Sequence, residues 1–163
     1  MKKYFWACLA LAISLHVNAD VISGRVVGVA DGDTITVLDS TNTQHKIRLA
    51  GIDAPEKKQA FGTASKKSLS DLVHGKHVEV DWSKKDRYGR TVGKVIVNGM
   101  DANLEQIKLG MAWFYIEYQN EQSVQDRQEY SGAQNYAEAN RLGLWADRSP
   151  ISPWDFRKQS RMK

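Results

Sequence analysis

Cysteine is almost missing from this chain: among 163 residues only Cys8 is present. It lies inside an apolar stretch from Tyr4 to Leu15, preceded by Lys2 and Lys3 and followed by Val17-Asn18-Ala19. A basic start, a short apolar core and small residues at a cut site are the layout of a cleaved secretory signal peptide over residues 1–19. The run is shorter than the roughly 20 residues that span a bilayer. Cys8 also sits within the run and not at its end, which excludes a lipid anchor there. Cleavage removes the cysteine, so the mature chain has neither a disulfide nor a thiol nucleophile in an oxidising compartment. The expectation is an exported protein, periplasmic or secreted, with no stable membrane association once the leader is gone.

Charge of one sign is equally scarce. The 23 basic residues face 19 acidic ones, and loss of Lys2 and Lys3 with the leader leaves 21 against 19. So small an excess does not mark a nucleic-acid binder, and any attraction to phosphate has to come from local placement. The chain has four histidines. The pair in His74-Gly75-Lys76-His77 flanks a helix stop and lacks the further ligands that zinc requires. No linker, internal repeat or low-complexity segment divides the sequence, and its length suits one domain. The expected division is a leader over 1–19, a folded domain over 20–148 and a basic, loosely packed tail over 149–163.

What is present is a run of short alternating segments. Val21 to Ala30 is valine-rich, Asp31-Gly32 is a turn signal and Thr34 to Leu38 is β-prone. Between His45 and Ile52, Ile47 and Leu49 take one face while Lys46 and Arg48 take the other. Residues 58–73 change period: Phe61, Ala64, Leu69, Leu72 and Val73 fall on one helical face, and Gly75 stops the helix. Val78, Val80 and Trp82 alternate again, as does the stretch from Arg90 to the Asn98-Gly99 turn. Leu104 and Ile107 mark a second helix, and residues 122–141 a third. Three strands, a helix, two strands and two helices predict an α+β fold, a five-stranded OB-fold β-barrel with three α-helices. Trp82, Trp113 and Trp145 are expected in the core.

Three clusters carry candidate chemistry: Asp31-Gly32-Asp33-Thr34, Arg48 through Glu56, and Asp86-Arg87-Tyr88-Gly89-Arg90. Asp33 opens the second strand and Asp53 lies just past the third, so neighbouring strand ends can bring the two carboxylates together. Two carboxylates, a carbonyl and water suit a hard cation. Taken singly, each motif reads more simply as turn chemistry. Arg48 and Arg90 offer forked donors that match phosphate oxygens. Glu56 follows Pro55, which stiffens its approach and suits a positioned base.

The order DGDT, IRLAGIDAPE, DRYGR on an OB-like strand plan resembles the staphylococcal nuclease (thermonuclease) family. The resemblance runs from about Val21 to Trp145 and includes the closing Gly143-Leu144-Trp145-Ala146. It implies a Ca2+-dependent nuclease, indifferent to the sugar, that hydrolyses DNA and RNA to leave 3′-phosphate ends. By the same resemblance Asp33 and Asp53 are the calcium carboxylates and Ala54 lends its backbone carbonyl. The family often has threonine at that position, a departure that matters little for a main-chain ligand. Arg48 and Arg90 grip the scissile phosphate, Glu56 activates water, Arg87 and Tyr88 lie against the neighbouring nucleotide, and Tyr118 flanks the same pocket. A monomer is expected. The alternative is an OB-fold module that binds nucleic acid without cutting it, but such a domain should lack some of Asp33, Arg48, Asp53, Glu56 and Arg90, all present here.

Overall fold

The computed structural model describes residues 20–162. The expected signal peptide, residues 1–19, lies outside the described residues. Five strands form the barrel: β1 (Asp20–Val29), β2 (Thr34–Asp39), β3 (Gln44–Leu49), then, after a two-residue β4 (Ile52–Asp53), β5 (His77–Lys85) and β6 (Thr91–Val97). They are ordered β3-β2-β1-β5-β6 by antiparallel pairing, and a parallel β3–β6 pairing closes the barrel. Alternation decides what faces inward. In β6 every second residue from Thr91 to Val97 is buried, and in β3 Ile47 and Leu49 are buried while Arg48 points the other way. The Asn98-Gly99 turn, both residues at positive φ, joins β6 to the short β7 (Met100–Asp101), as a two-residue hairpin requires.

Helix α1 (Gly62–Val73) sits between β4 and β5, and its buried residues are Gly62, Ser65, Leu69 and Val73. The expected face holds at Leu69 and Val73, and Leu72 packs against the core from its edge. Ala64 is exposed and Ser65 takes its place inside. The reason is a hydrogen bond: the Ser65 hydroxyl donates to the Met111 carbonyl at 2.6 Å, so a small polar residue is satisfied where hydropathy favours alanine. Helix α2 (Ala102–Lys108) is capped by Asp101, whose carboxylate accepts from the amides of Asn103 and Leu104. The short β8 (Trp113–Phe114) pairs with β4, and α3 (Val124–Ala139) follows. Trp145 is buried, and Trp113 and Trp82 are half-buried against the core.

To the three expected α-helices the structure adds a fourth, α4 (Pro153–Arg161). The tail is therefore not loosely packed. Ser152 caps the helix, Pro153 occupies its first turn, and Trp154 stacks flat on Tyr115 at 5.4 Å and meets Trp113 edge-on at 5.5 Å.

Two buried amides tie helix to barrel. Asn103 accepts from the Val95 amide and donates to the carbonyls of Ala50 and Gly93. Gln106 donates to the carbonyls of Gly32 (2.8 Å) and Ser65 (3.1 Å) and accepts from the Ser68 hydroxyl. Gly32 leaves no alternative to glycine, since a Cβ there would lie 1.8 Å from the Ser65 hydroxyl oxygen. Gln106→Leu should strand these polar groups and cost about 1–3 kcal/mol of stability. It should also loosen the Asp31–Asp33 turn, which loses its anchor. Ile107→Val, costing about 0.5–1.5 kcal/mol, should leave that turn intact. Urea unfolding together with amide hydrogen exchange at the Asp31–Asp33 turn in both variants checks the contrast.

Candidate active site

The barrel's closure assembles the site. In the β2–β3 ladder Thr34 is opposite Arg48, and in the parallel β3–β6 ladder Arg48 is opposite Val92. The residue before β2, Asp33, and the residue before β6, Arg90, are thereby carried to the same end of β3. Because Ile47 and Leu49 must face the core, Arg48 faces out at that end. The β4–β8 pairing then buries Asp53, whose side chain is 2% exposed.

Arg48 is the hub. Its Nη1 donates to the carbonyls of Leu49 (2.7 Å) and Ile52 (2.8 Å). Its Nη2 reaches Asp53 Oδ1 at 3.0 Å and Asp33 Oδ2 at 3.2 Å. Asp33 is fixed further by the Ala54 amide, which donates to Oδ2 at 2.8 Å, and by the Thr34 hydroxyl, which donates to Oδ1 at 3.0 Å. The expected pair of acids is therefore adjacent, with Ala54 beside it. Glu56 is half-buried on a turn whose own amide donates to the Gln59 side chain. Gly62 allows that turn to press on α1: a Cβ would come within 2.1 Å of the Glu56 carbonyl oxygen.

Arg90 is held by Asp86, through Nε and Nη2 at 2.7 Å each, with Nη1 toward the Thr34 hydroxyl at 3.4 Å. Asp86 also accepts from the amides of Tyr88 and Arg90, which makes the expected DRYGR cluster a self-bonded turn. These bonds from Arg90 and Tyr88 outweigh the effect of burial and hold the Asp86 carboxyl below its ordinary range. Tyr88 is 68% exposed, flanked by the guanidiniums of Arg87 and Arg90. Tyr118 is exposed and meets Tyr115 edge-on, with Lys84 over its ring. All nine expected residues line one cleft of about 550 Å³.

The cleft also contains residues that sequence reasoning passed over. Asp31, read only as part of a turn, is half-buried in the wall. Burial and then the neighbouring charge of Asp33 push its carboxyl up to about 6. Tyr115 stands between Tyr118 and Trp154. Arg157, on α4, donates through Nη2 to Asp53 Oδ2 (2.8 Å) and through Nη1 to Asp53 Oδ1 (3.2 Å) and Glu56 Oε1 (2.7 Å). Burial raises the Asp53 carboxyl above the ordinary value even though Arg157 and Arg48 oppose the shift. A sequence signal for α4 existed in Ser152-Pro153-Trp154-Asp155, a cap residue followed by proline at the first helical position.

The arrangement is a cleft on an OB-fold barrel, with acids at its floor and guanidiniums around them. The family description "Staphylococcal nuclease homologue" matches residues 46–147. A protein of Haemophilus influenzae described as an uncharacterized endonuclease is 48% identical over 138 residues, covering 85% of this chain and 74% of that one. An Escherichia coli O157:H7 protein of the same description is 41% identical, covering 96% and 98%. A micrococcal nuclease of Shigella flexneri is 38% identical, covering 95% and 91%. The chain belongs to the staphylococcal nuclease family, and membership supports a nuclease function in general.

The Asp31 carboxyl gives this cleft a pH signature. Its shift from 3.8 to about 6 means that the folded protein holds this proton more tightly than the unfolded chain. Stability is then lost as pH rises from about 4 to 6. Asp31→Asn should remove that slope and stabilise the protein at pH 7 by on the order of 1–3 kcal/mol. Thermal unfolding in chelator between pH 4 and 7.5 checks it: the two curves should converge at the acid end and separate at neutral pH.

Proposed function

We propose that the protein is a calcium-dependent, sugar-nonspecific nuclease that hydrolyses DNA and RNA to 3′-phosphate products. The observation that carries this reading is the convergence of Asp33 and Asp53 on one point. An oxygen of each lies within 3.2 Å of the same Arg48 nitrogen. Among the described residues no group of three or more His, Cys, Asp or Glu side chains is arranged to hold a metal alone. A cation here would rest on two carboxylates, with the Ala54 carbonyl and water completing an all-oxygen set, and that chemistry fits calcium better than zinc. Burial first and the charge of Asp33 second raise the Asp31 carboxyl, and a divalent cation would offset the second of these.

When bound, calcium would supply electrostatic stabilisation of the charge that builds on the phosphoryl oxygens. The chain's own residues do the rest. Glu56 takes a proton from water as the water oxygen bonds to phosphorus. The bond from phosphorus to the 5′ oxygen breaks, and that oxygen is protonated from solvent or from Arg90. Arg90 and Arg48 offset the charge of the phosphate, more strongly as it grows. Arg87, Tyr88 and Tyr118 hold the adjacent nucleotide by charge and by a stacking face that every base accepts. Among the described residues no helix is long and apolar enough to cross a membrane. Export through residues 1–19, to a periplasm or the medium, and a monomeric state complete the proposal.

Asp33→Asn and Asp53→Asn should each lose most calcium affinity while remaining folded, as read by calorimetric titration and circular dichroism. Unchanged affinity in both would remove them from the site. Glu56→Gln, Arg48→Lys and Arg90→Lys should each reduce turnover on the order of 100- to 1,000-fold. Glu56→Gln should leave nucleotide affinity near normal, because its interaction is made with water in the transition state. Near-normal turnover in a folded Arg90→Lys protein would overturn the assignment.

A further inference from the structure

Both oxygens of Asp53 are already taken by guanidinium donors. Arg157 spans Oδ1 and Oδ2, at 3.2 and 2.8 Å, and the same Nη1 that reaches Oδ1 also holds Glu56 Oε1 at 2.7 Å. One side chain thus bridges the candidate metal carboxylate and the candidate base. We propose that Arg157 is an internal cation that competes with calcium for Asp53 and restrains Glu56 until calcium displaces it, so that the C-terminal helix sets the calcium concentration at which the nuclease turns on. The proposal rests on the calcium reading given above.

Three features carry it. First, the guanidinium is delivered by a docked helix. Trp154 is stacked on Tyr115, Ser152 caps the helix, and the Gln59 amide, which accepts from the Glu56 N–H, donates to the Ile151 carbonyl at 2.6 Å. Second, the two arginines at Asp53 are unlike. Arg48 is 13% exposed and pinned to two carbonyls besides the acids, while Arg157 is 34% exposed and, among the described residues, its side chain bonds only to Asp53 and Glu56. Arg157 can withdraw to the mouth of the cleft and Arg48 cannot. Third, Arg48 reaches only Oδ1 of Asp53 while Arg157 covers both oxygens, so a cation that takes Oδ2 has to displace Arg157 and not Arg48. Withdrawal also frees Glu56 Oε1, which Arg157 Nη1 holds at 2.7 Å, to accept from water.

The test is calorimetric titration of the purified protein with calcium chloride. Arg157→Gln should bind calcium about tenfold more tightly, equivalent to ~1.4 kcal/mol, and should reach half-maximal nuclease activity at a correspondingly lower calcium concentration. Arg157→Lys, which keeps the charge and loses the fork, should fall between the two. Trp154→Ala loosens α4 without touching an acid and should shift affinity in the same direction, so the proposal survives a folding defect in any one variant. If the wild-type protein binds calcium through Asp53 and Arg157→Gln binds it equally or more weakly, competition is refuted while the calcium reading stands. If wild type and Arg157→Gln both show no saturable binding, the calcium reading fails and the competition falls with it.

Discussion

A guanidinium enclosed by two carboxylates and two carbonyls is the constraint on which the rest of this cleft depends. Arg48 joins Asp33 to Asp53 on one side and fixes the Leu49-to-Ile52 bend on the other. Without it, two buried acids and the half-buried Asp31 would face one another in a poorly solvated corner. Such an arrangement is costly unless a cation offsets it. The barrel puts the arginine there by geometry alone: strand alternation turns Arg48 away from the core, and the parallel β3–β6 closure turns that face into the wall of the cleft. Stability and site are thus coupled at one residue, and the acids are held close before any ligand arrives.

Rigidity comes from polar side chains inside an otherwise apolar core. Gln106 grips the turn that carries Asp31 and Asp33, and Asn103 grips the end of β3 at Ala50. Both amides are completely buried and bonded, so each specifies a geometry that an apolar residue of equal size would leave loose. Preorganised donors and acceptors of this kind are what electrostatic catalysis demands, because a site that must reorganise loses part of its advantage.

Much of this was legible in the sequence where period and sign were enough. Ile47 and Leu49 against Arg48 give the inward and outward faces of β3, and the two acids at neighbouring strand ends share one Arg48 nitrogen. The misreadings have physical causes. Ser65 replaces Ala64 inside because a hydroxyl can satisfy a carbonyl that periodicity does not see. Asp31 looked like turn chemistry because its burial depends on α1 and α2, which pack behind the turn. Residues 153–161 read as a loose tail because their composition is polar, and the docking of α4 depends on Trp154 meeting an aromatic cluster assembled from β8 and its following turn. Arg157 follows from that docking and could not be placed without it, being 104 positions away from Asp53 in sequence.

Such remoteness bears on how a chain of nearly balanced charge can handle a polyanion. With little net excess to attract phosphate from a distance, the protein concentrates its cations at the acids, and each guanidinium there is already paired with at least one of them. Arg90 is tied to Asp86, Arg48 to Asp33 and Asp53, and Arg157 to Asp53 and Glu56. Internal pairing keeps the folded cleft neutral enough to be stable, and it also orients the forks. A divalent cation at the acids would reverse the local sign, releasing positive charge toward the mouth where the strand enters. Affinity for nucleic acid and affinity for the cation would then rise together, because each supplies what the other leaves uncompensated.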